Sequence, residues 1–217
     1  MFNLRSSVLV GLALTTLCLS GMSSRKPVSA PPINPPNVTV RYRYYPITGT
    51  TMQALRSQMS QRGPIDRLSG KRYDANTDWT VTWQFRYHTN GNQCAIQSAG
   101  SKVAVTITLP QWKPPARVER SLVTEWNRYL SALHIHEDGH KNNGIAAASD
   151  VVKTLRQLPP AATCQHLSAT ASNAAKRVIQ HYNRKDGKYD AVTHHGFTQG
   201  AVFPPATTAS QQRSFRN

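Results

Sequence analysis

Two periods of apolar and polar residues divide the chain. In its first half, Val38, Val40, Tyr42 and Tyr44 alternate with polar residues and predict a strand over 38–45. Trp79, Val81, Trp83, Phe85 and Tyr87 share one face of a second strand over 79–87. Asn90-Gly91 then signals a tight hairpin turn, because both of its central positions need positive φ. Strand segments follow at 94–97 and 103–109, and Pro110 with Pro114-Pro115 closes this half. Between the first two strands, Met52, Leu55 and Met59 lie on one face of a short helix. Thr50 or Thr51 caps it and Gly63-Pro64 stops it.

From Val118 the spacing becomes helical. Leu122, Trp126, Tyr129, Leu130 and Leu133, then Ile145, Ala148, Val152 and Leu155, predict one very long helix or two. A bend is expected at Gly139 or Gly144, and Pro159-Pro160 ends the pattern. A further helix is predicted over 167–182, ending at Asp186-Gly187. The expected fold is α+β: a small antiparallel sheet from the N-terminal half packed against long helices from the C-terminal half. Two segments are nearly identical, GKRYDANT at 70–77 and GKYDAVT at 187–193, and predict two tight turns shaped by their Asp side chains.

The N-terminus has a different character. Residues 8–19 are apolar, Arg5 precedes them and small residues follow, which predicts a signal peptide over 1–30. Leu17 before Cys18 is too large for a lipid-attachment box. A Pro-rich linker at 31–37, one domain at 38–203 and a disordered tail at 204–217 complete the expected organisation. The expected location is periplasmic or extracellular. Once Cys18 leaves with the signal, Cys94 and Cys164 remain as an even pair in an oxidising compartment, and they predict one disulfide.

Composition narrows the function. Hydrophobic residues make up 39%, which excludes a disordered chain. Lys and Arg number 26 against 10 acids, a formal charge of +16, of which the segment 1–30 carries three. Such a surface attracts anionic partners, a cell-envelope surface among them. The cations are scattered rather than blocked, which argues against a specific nucleic-acid reader. Glutamate occurs only at Glu119, Glu125 and Glu137, so few carboxylates are available for chemistry.

Residues 136–140 read His-Glu-Asp-Gly-His, the H-E-x-x-H pattern. On a helix, residues four apart lie about 40° apart round the axis and about 6 Å along it. His136 and His140 therefore reach one ion from the same face. Glu137, about 100° round, reaches a water held by that ion rather than the ion itself. This predicts one Zn²⁺ and a hydrolase in which Glu137 is the general base. A third ligand is needed. No glutamate lies downstream, and the position six residues after His140 is Ala146, so two common arrangements fail. The candidates are Asp150, His166, His181, Asp190, His194 and His195. Asp150 is too far along a straight helix. The segment 189–196, read as a loop with two imidazoles and an Asp, is the natural source.

These residues resemble a bacterial family of secreted domains of unknown function classed as zinc-dependent proteases. The resemblance covers about 38–203. It rests on Tyr45 with Gly49, Gly63-Pro64, Tyr73-Asp74-Ala75 with Thr77-Asp78-Trp79, Leu109-Pro110, Trp126, His136-Glu137 with Gly139-His140, Cys164, and Tyr189-Asp190 with Thr193 and His195-Gly196. It implies that His195 is the third zinc ligand, His194 filling a variable position. Asp190 is expected to hold a ligand imidazole by its other nitrogen or to shape the loop; Tyr189 or His194 is expected to stabilise an oxyanion. The expected activity is a secreted metallopeptidase acting on a peptide or protein. Its rivals are another zinc amide hydrolase with a cell-wall substrate, and a non-catalytic basic periplasmic binding protein with a structural metal.

Overall fold

In the computed structural model, which describes residues 35–66 and 70–205, three strands form one sheet in the order β1-β3-β2. They are β1 (Asn37–Ile47), β2 (Asn76–Asn90) and β3 (Gln93–Trp112). The expected signal segment 1–30, most of the linker and residues 206–217 of the expected tail lie outside the described residues. β2 and β3 form the hairpin that Asn90-Gly91 predicts, with Gly91 at φ 60. The sheet is mixed rather than antiparallel. β1 pairs with β3 in parallel, from Asn37 opposite Lys102 to Ile47 opposite Trp112. Alternation carries no direction, so the sequence pattern does not distinguish the two pairings.

β3 is one strand of 20 residues, not two segments. The small residues Ala99 and Ser101 lie opposite Phe85 and Trp83 of β2, whose rings make good the missing bulk. Pro110 does not end the strand. The β2 ladder stops at Asn76 opposite Thr108, so on that side a proline has no hydrogen bond to lose. Tyr87 departs from its expected face partners: it follows a register shift at Arg86/Tyr87 and is exposed.

The helix α1 (Met52–Arg62) starts where Thr51 accepts a hydrogen bond from the Ala54 backbone at 3.1 Å, and it buries Leu55 and Met59. The helix α2 (Arg120–Arg156) is a single helix of 37 residues that passes both glycines. A Cβ at Gly144 would lie 2.7 Å from the Trp79 ring, so this glycine lets β2 approach rather than bending the helix. The helix α3 (Cys164–Thr193) runs well past its expected end and through Gly187. The second of the two similar segments is therefore helical, because Asp186 and Asp190 find partners on α2 and tertiary contact overrides local turn preference. The first segment does turn, with Gly70 at φ 68.

The core lies between the sheet and α2. Val103, Val105, Ile107 and Leu109 of β3 meet Leu133, Ala147, Ala148 and Val151 of α2. Trp126 packs with Trp112, Tyr129 and Phe203, centroids 5.6–5.7 Å apart, so the chain is held to within one residue of the expected tail. Asp74 binds the Arg56 guanidinium and accepts from the Tyr129 hydroxyl at 2.6 Å. Burial and the Asp74 charge keep that hydroxyl protonated far above the ordinary tyrosine range.

Cys94 and Cys164 form the expected disulfide, 70 residues apart, joining the start of β3 to the first residue of α3. In the chain-entropy model a loop of this length contributes about 4 kcal/mol. The double variant Cys94→Ser, Cys164→Ser is expected to lose about 2–5 kcal/mol of unfolding free energy, read by denaturant titration against the oxidised wild type.

Candidate metal centre

α2 supplies His136, Glu137 and His140, which are 3%, 3% and 8% exposed. The two imidazoles stand one helical turn apart with ring centroids 5.0 Å apart. The last turns of α3 supply Asp186, Tyr189 and Asp190. The Tyr189 ring lies flat on His136, centroids 5.0 Å apart and planes within 10°, and meets His140 edge-on. That approach needs Gly139, where a Cβ would fall 2.4 Å from the tyrosine ring. Beyond α3, His194, His195 and Gly196 have positive φ and turn the chain back toward α2. A short 3-10 turn (Phe197–Gln199) then brings Gln199 to His136.

Each imidazole is held from behind. His140 Nδ1 lies 3.2 Å from Asp186 Oδ1, and His136 Nδ1 lies 3.0 Å from Gln199 Oε1. These oxygens only accept, so each Nδ1 carries a proton and donates it. Asp186 is itself fixed: Trp79 Nε1 and Asn143 Nδ2 both donate to it at 2.6 Å. The Nε2 atoms are thus turned to the other side, where they meet Asp190 Oδ1 at 3.2 Å for His136 and 3.0 Å for His140.

His136, His140 and Asp190 form a group whose ligand atoms all lie within 4.8 Å of one another, and such a group can hold one metal ion. Two imidazoles with their Nδ1 protons anchored, plus a carboxylate, suit a borderline divalent cation. Burial lowers the His140 pKa, but its hydrogen bonds to Asp186 and Asp190 outweigh this and hold it at about 10. Burial pushes Asp190 up, yet hydrogen bonds from His136 and His140 and the charges of His140 and His195 hold it well below the usual carboxylate range. Glu137 moves the other way. Burial raises it against the opposing Thr77 hydrogen bond, which reaches Oε2 at 2.7 Å, and against the nearby imidazoles.

His136, Glu137, His140, Asp190 and His195 all line one cleft of about 320 Å³, together with Thr77. His195 stands outside the group of three; its Nδ1 is 3.4 Å from Asp190 Oδ1, and its half-exposed ring packs on Tyr73 at 4.5 Å. Asp190 is the third member of that group. The orienting role expected of it falls to Asp186 and Gln199, which the sequence reading did not name. Asp186 lies one turn before Asp190, a signal visible only if α3 continues to Thr193. Tyr189 and His194 do not line the cleft. The Tyr189 hydroxyl is engaged with Gln199 at 2.9 Å, and His194 is exposed at the α3 C-terminus. Among the other ligand candidates, Asp150 binds the Tyr182 hydroxyl at 2.8 Å, while His166 and His181 are exposed.

Residues 42–196 match a family described as bacterial protein of unknown function (DUF922), and the chain belongs to that family. No curated protein and no solved structure matches it.

Two outcomes are expected of this geometry. Asp186→Asn removes the charge and replaces one of two accepting oxygens with a donor that faces another donor, and divalent-metal affinity should fall about 10–100-fold by calorimetric titration. In the metal-free protein, His140 is charged up to about pH 10 when folded but only to ~6.5 when unfolded, so its contribution is complete below ~6.5 and lost as pH rises toward 10. Asp190 is depressed, so its contribution is present above ~3.9 and lost on acidification. The chelated protein should therefore be most stable between pH ~4 and ~6.5. Denaturant midpoints across pH check this, with a His140→Gln variant expected to lose the alkaline decline.

Proposed function

We propose that this member of the bacterial family is an exported zinc-dependent metallopeptidase that hydrolyses amide bonds in a peptide or protein. The observation that carries the reading is the convergence of His136 Nε2, His140 Nε2 and Asp190 Oδ1 at a cleft whose wall also holds Glu137. The cleft also speaks against a purely structural metal, which closes its coordination with four protein ligands. A disulfide suits an oxidising compartment. Among the described residues, no helix is long and apolar enough to cross a membrane.

When bound, zinc supplies a Lewis acid and lowers the pKa of a coordinated water toward 7. The protein's own residues do the rest. Asp186 and Gln199 fix the imidazole tautomers, so that both Nε2 lone pairs face the ion's place. Glu137 has Oε2 engaged by Thr77, which leaves Oε1 to take a proton from the attacking water. It then gives that proton to the departing amine. Its raised pKa helps it hold the proton between the two transfers. His195, beside Asp190 at the half-exposed rim, is the residue to which this reading gives the developing oxyanion.

Glu137→Gln is expected to retain its metal and to lower hydrolysis by about 10²–10⁴-fold. Elemental analysis and turnover of an unstructured peptide library read the two quantities; undiminished turnover sinks the assignment of the base. A parallel panel of cell-wall amides separates peptidase from wall hydrolase. Asp190→Asn should strip the zinc while His195→Ala keeps it. The reverse pattern would restore the ligand role to His195.

A further inference from the structure

Four of the eight large apolar side chains exposed among the described residues lie on one strand: Val38, Val40, Tyr42 and Tyr44 of β1 are 36–52% exposed. Their partners Val103, Val105, Ile107 and Leu109 are all buried. Paired residues share a face of the sheet, so the four side chains look toward the helix side. They remain in solvent because α2 packs over β2 and β3. On α2, Tyr42 meets His134, centroids 6.3 Å apart.

β1 is also an edge of the sheet, and its far side pairs with no strand among the described residues. Exposed edges are normally blunted by shortness, a bulge, an internal proline, edge charges or a covering segment, and of these β1 carries only the charges of Arg41 and Arg43 among the described residues. β1 has 11 residues in unbroken register with β3, and its one proline, Pro46, comes at the end. The opposite edge, β2, carries the register shift. The outer face of β1 carries Arg41 and Arg43, both exposed, and the strand holds no acid. Antiparallel pairing with a second copy would set arginine against arginine, which destabilises a sheet. The preceding residues Pro31, Pro32, Pro35 and Pro36 lack the N–H donors that a ladder requires.

We propose that β1 is the docking strand for an extended segment of another protein, added to the sheet as a fourth strand. The segment alternates apolar and acidic residues. Its apolar side chains lie along Val38, Val40, Tyr42 and Tyr44, and its carboxylates lie beside Arg41 and Arg43. Main-chain hydrogen bonds supply affinity and the two faces supply selection. The proposal stands apart from the reading of the cleft.

The probe is a capped nine-residue peptide alternating valine or tyrosine with glutamate, and its control has lysine in place of glutamate. Fluorescence anisotropy and amide chemical shifts on the full chain are the readouts. The glutamate peptide should bind at least about tenfold more tightly than the lysine peptide, with shifts centred on β1. Arg41→Glu with Arg43→Glu, both on the solvent face, should reverse the preference at unchanged helical circular dichroism. Equal binding of the two peptides, no binding, or shifts centred elsewhere overturns the proposal. A dimer that Tyr42→Lys dissolves assigns the edge to a second copy, and protection of every β1 amide in the free protein assigns it to the chain's own segment. Either result also overturns it.

Discussion

The contact between His140 and Asp186 is the one on which the centre depends. It joins all three layers of the site: Asp186 comes from α3, His140 and Asn143 from α2, and Trp79 from β2. A carboxylate this enclosed is tolerable only if its oxygens are fully engaged, and three donors meet that condition. Its satisfaction and the imidazole's orientation are therefore the same set of bonds. Loss of any donor loosens a ligand as well as the packing.

Close approach is the second condition, and two glycines on α2 provide it. Gly139 admits the Tyr189 ring and Gly144 admits Trp79. Both sit inside a helix, where glycine costs about 1 kcal/mol relative to alanine. Here the cost is offset by aromatic packing, which brings α3 and β2 within reach of the histidines. The glycine of the His-Glu-Asp-Gly-His run thus belongs to the site's architecture as much as its ligands do.

Much of this was legible in the sequence where periodicity or spacing encodes it directly. The two histidines and Glu137, the Thr51 cap, the hairpin turn and the cysteine pair follow from local pattern. Strand direction was not legible, because the β1 alternation is the same beside a parallel or an antiparallel neighbour. The length of α3 was not legible either: Gly187 is a strong local stop signal, overridden by Asp186, Tyr189 and Asp190 docking on α2. From that one misplaced end came the treatment of Asp190 as a loop residue and the omission of Asp186. Gln199 was out of reach for a different reason. Its approach to His136 depends on left-handed backbone at His194 and His195, which no pattern of side chains announces.

α3 is tied down at its two extremities by different chemistries. Cys164 bonds it covalently at its first residue, and Asp190, in its final turn, meets both α2 histidines. The first tie forms only where thiols are oxidised; the second brings together the three groups that can hold a cation. A chain in reducing, metal-poor surroundings holds this helix by packing and by the polar contacts of Asp186 and Asp190 with α2 and Trp79. The two ends of a single helix thus answer to two properties of its surroundings, redox potential at Cys164 and cation supply at Asp190.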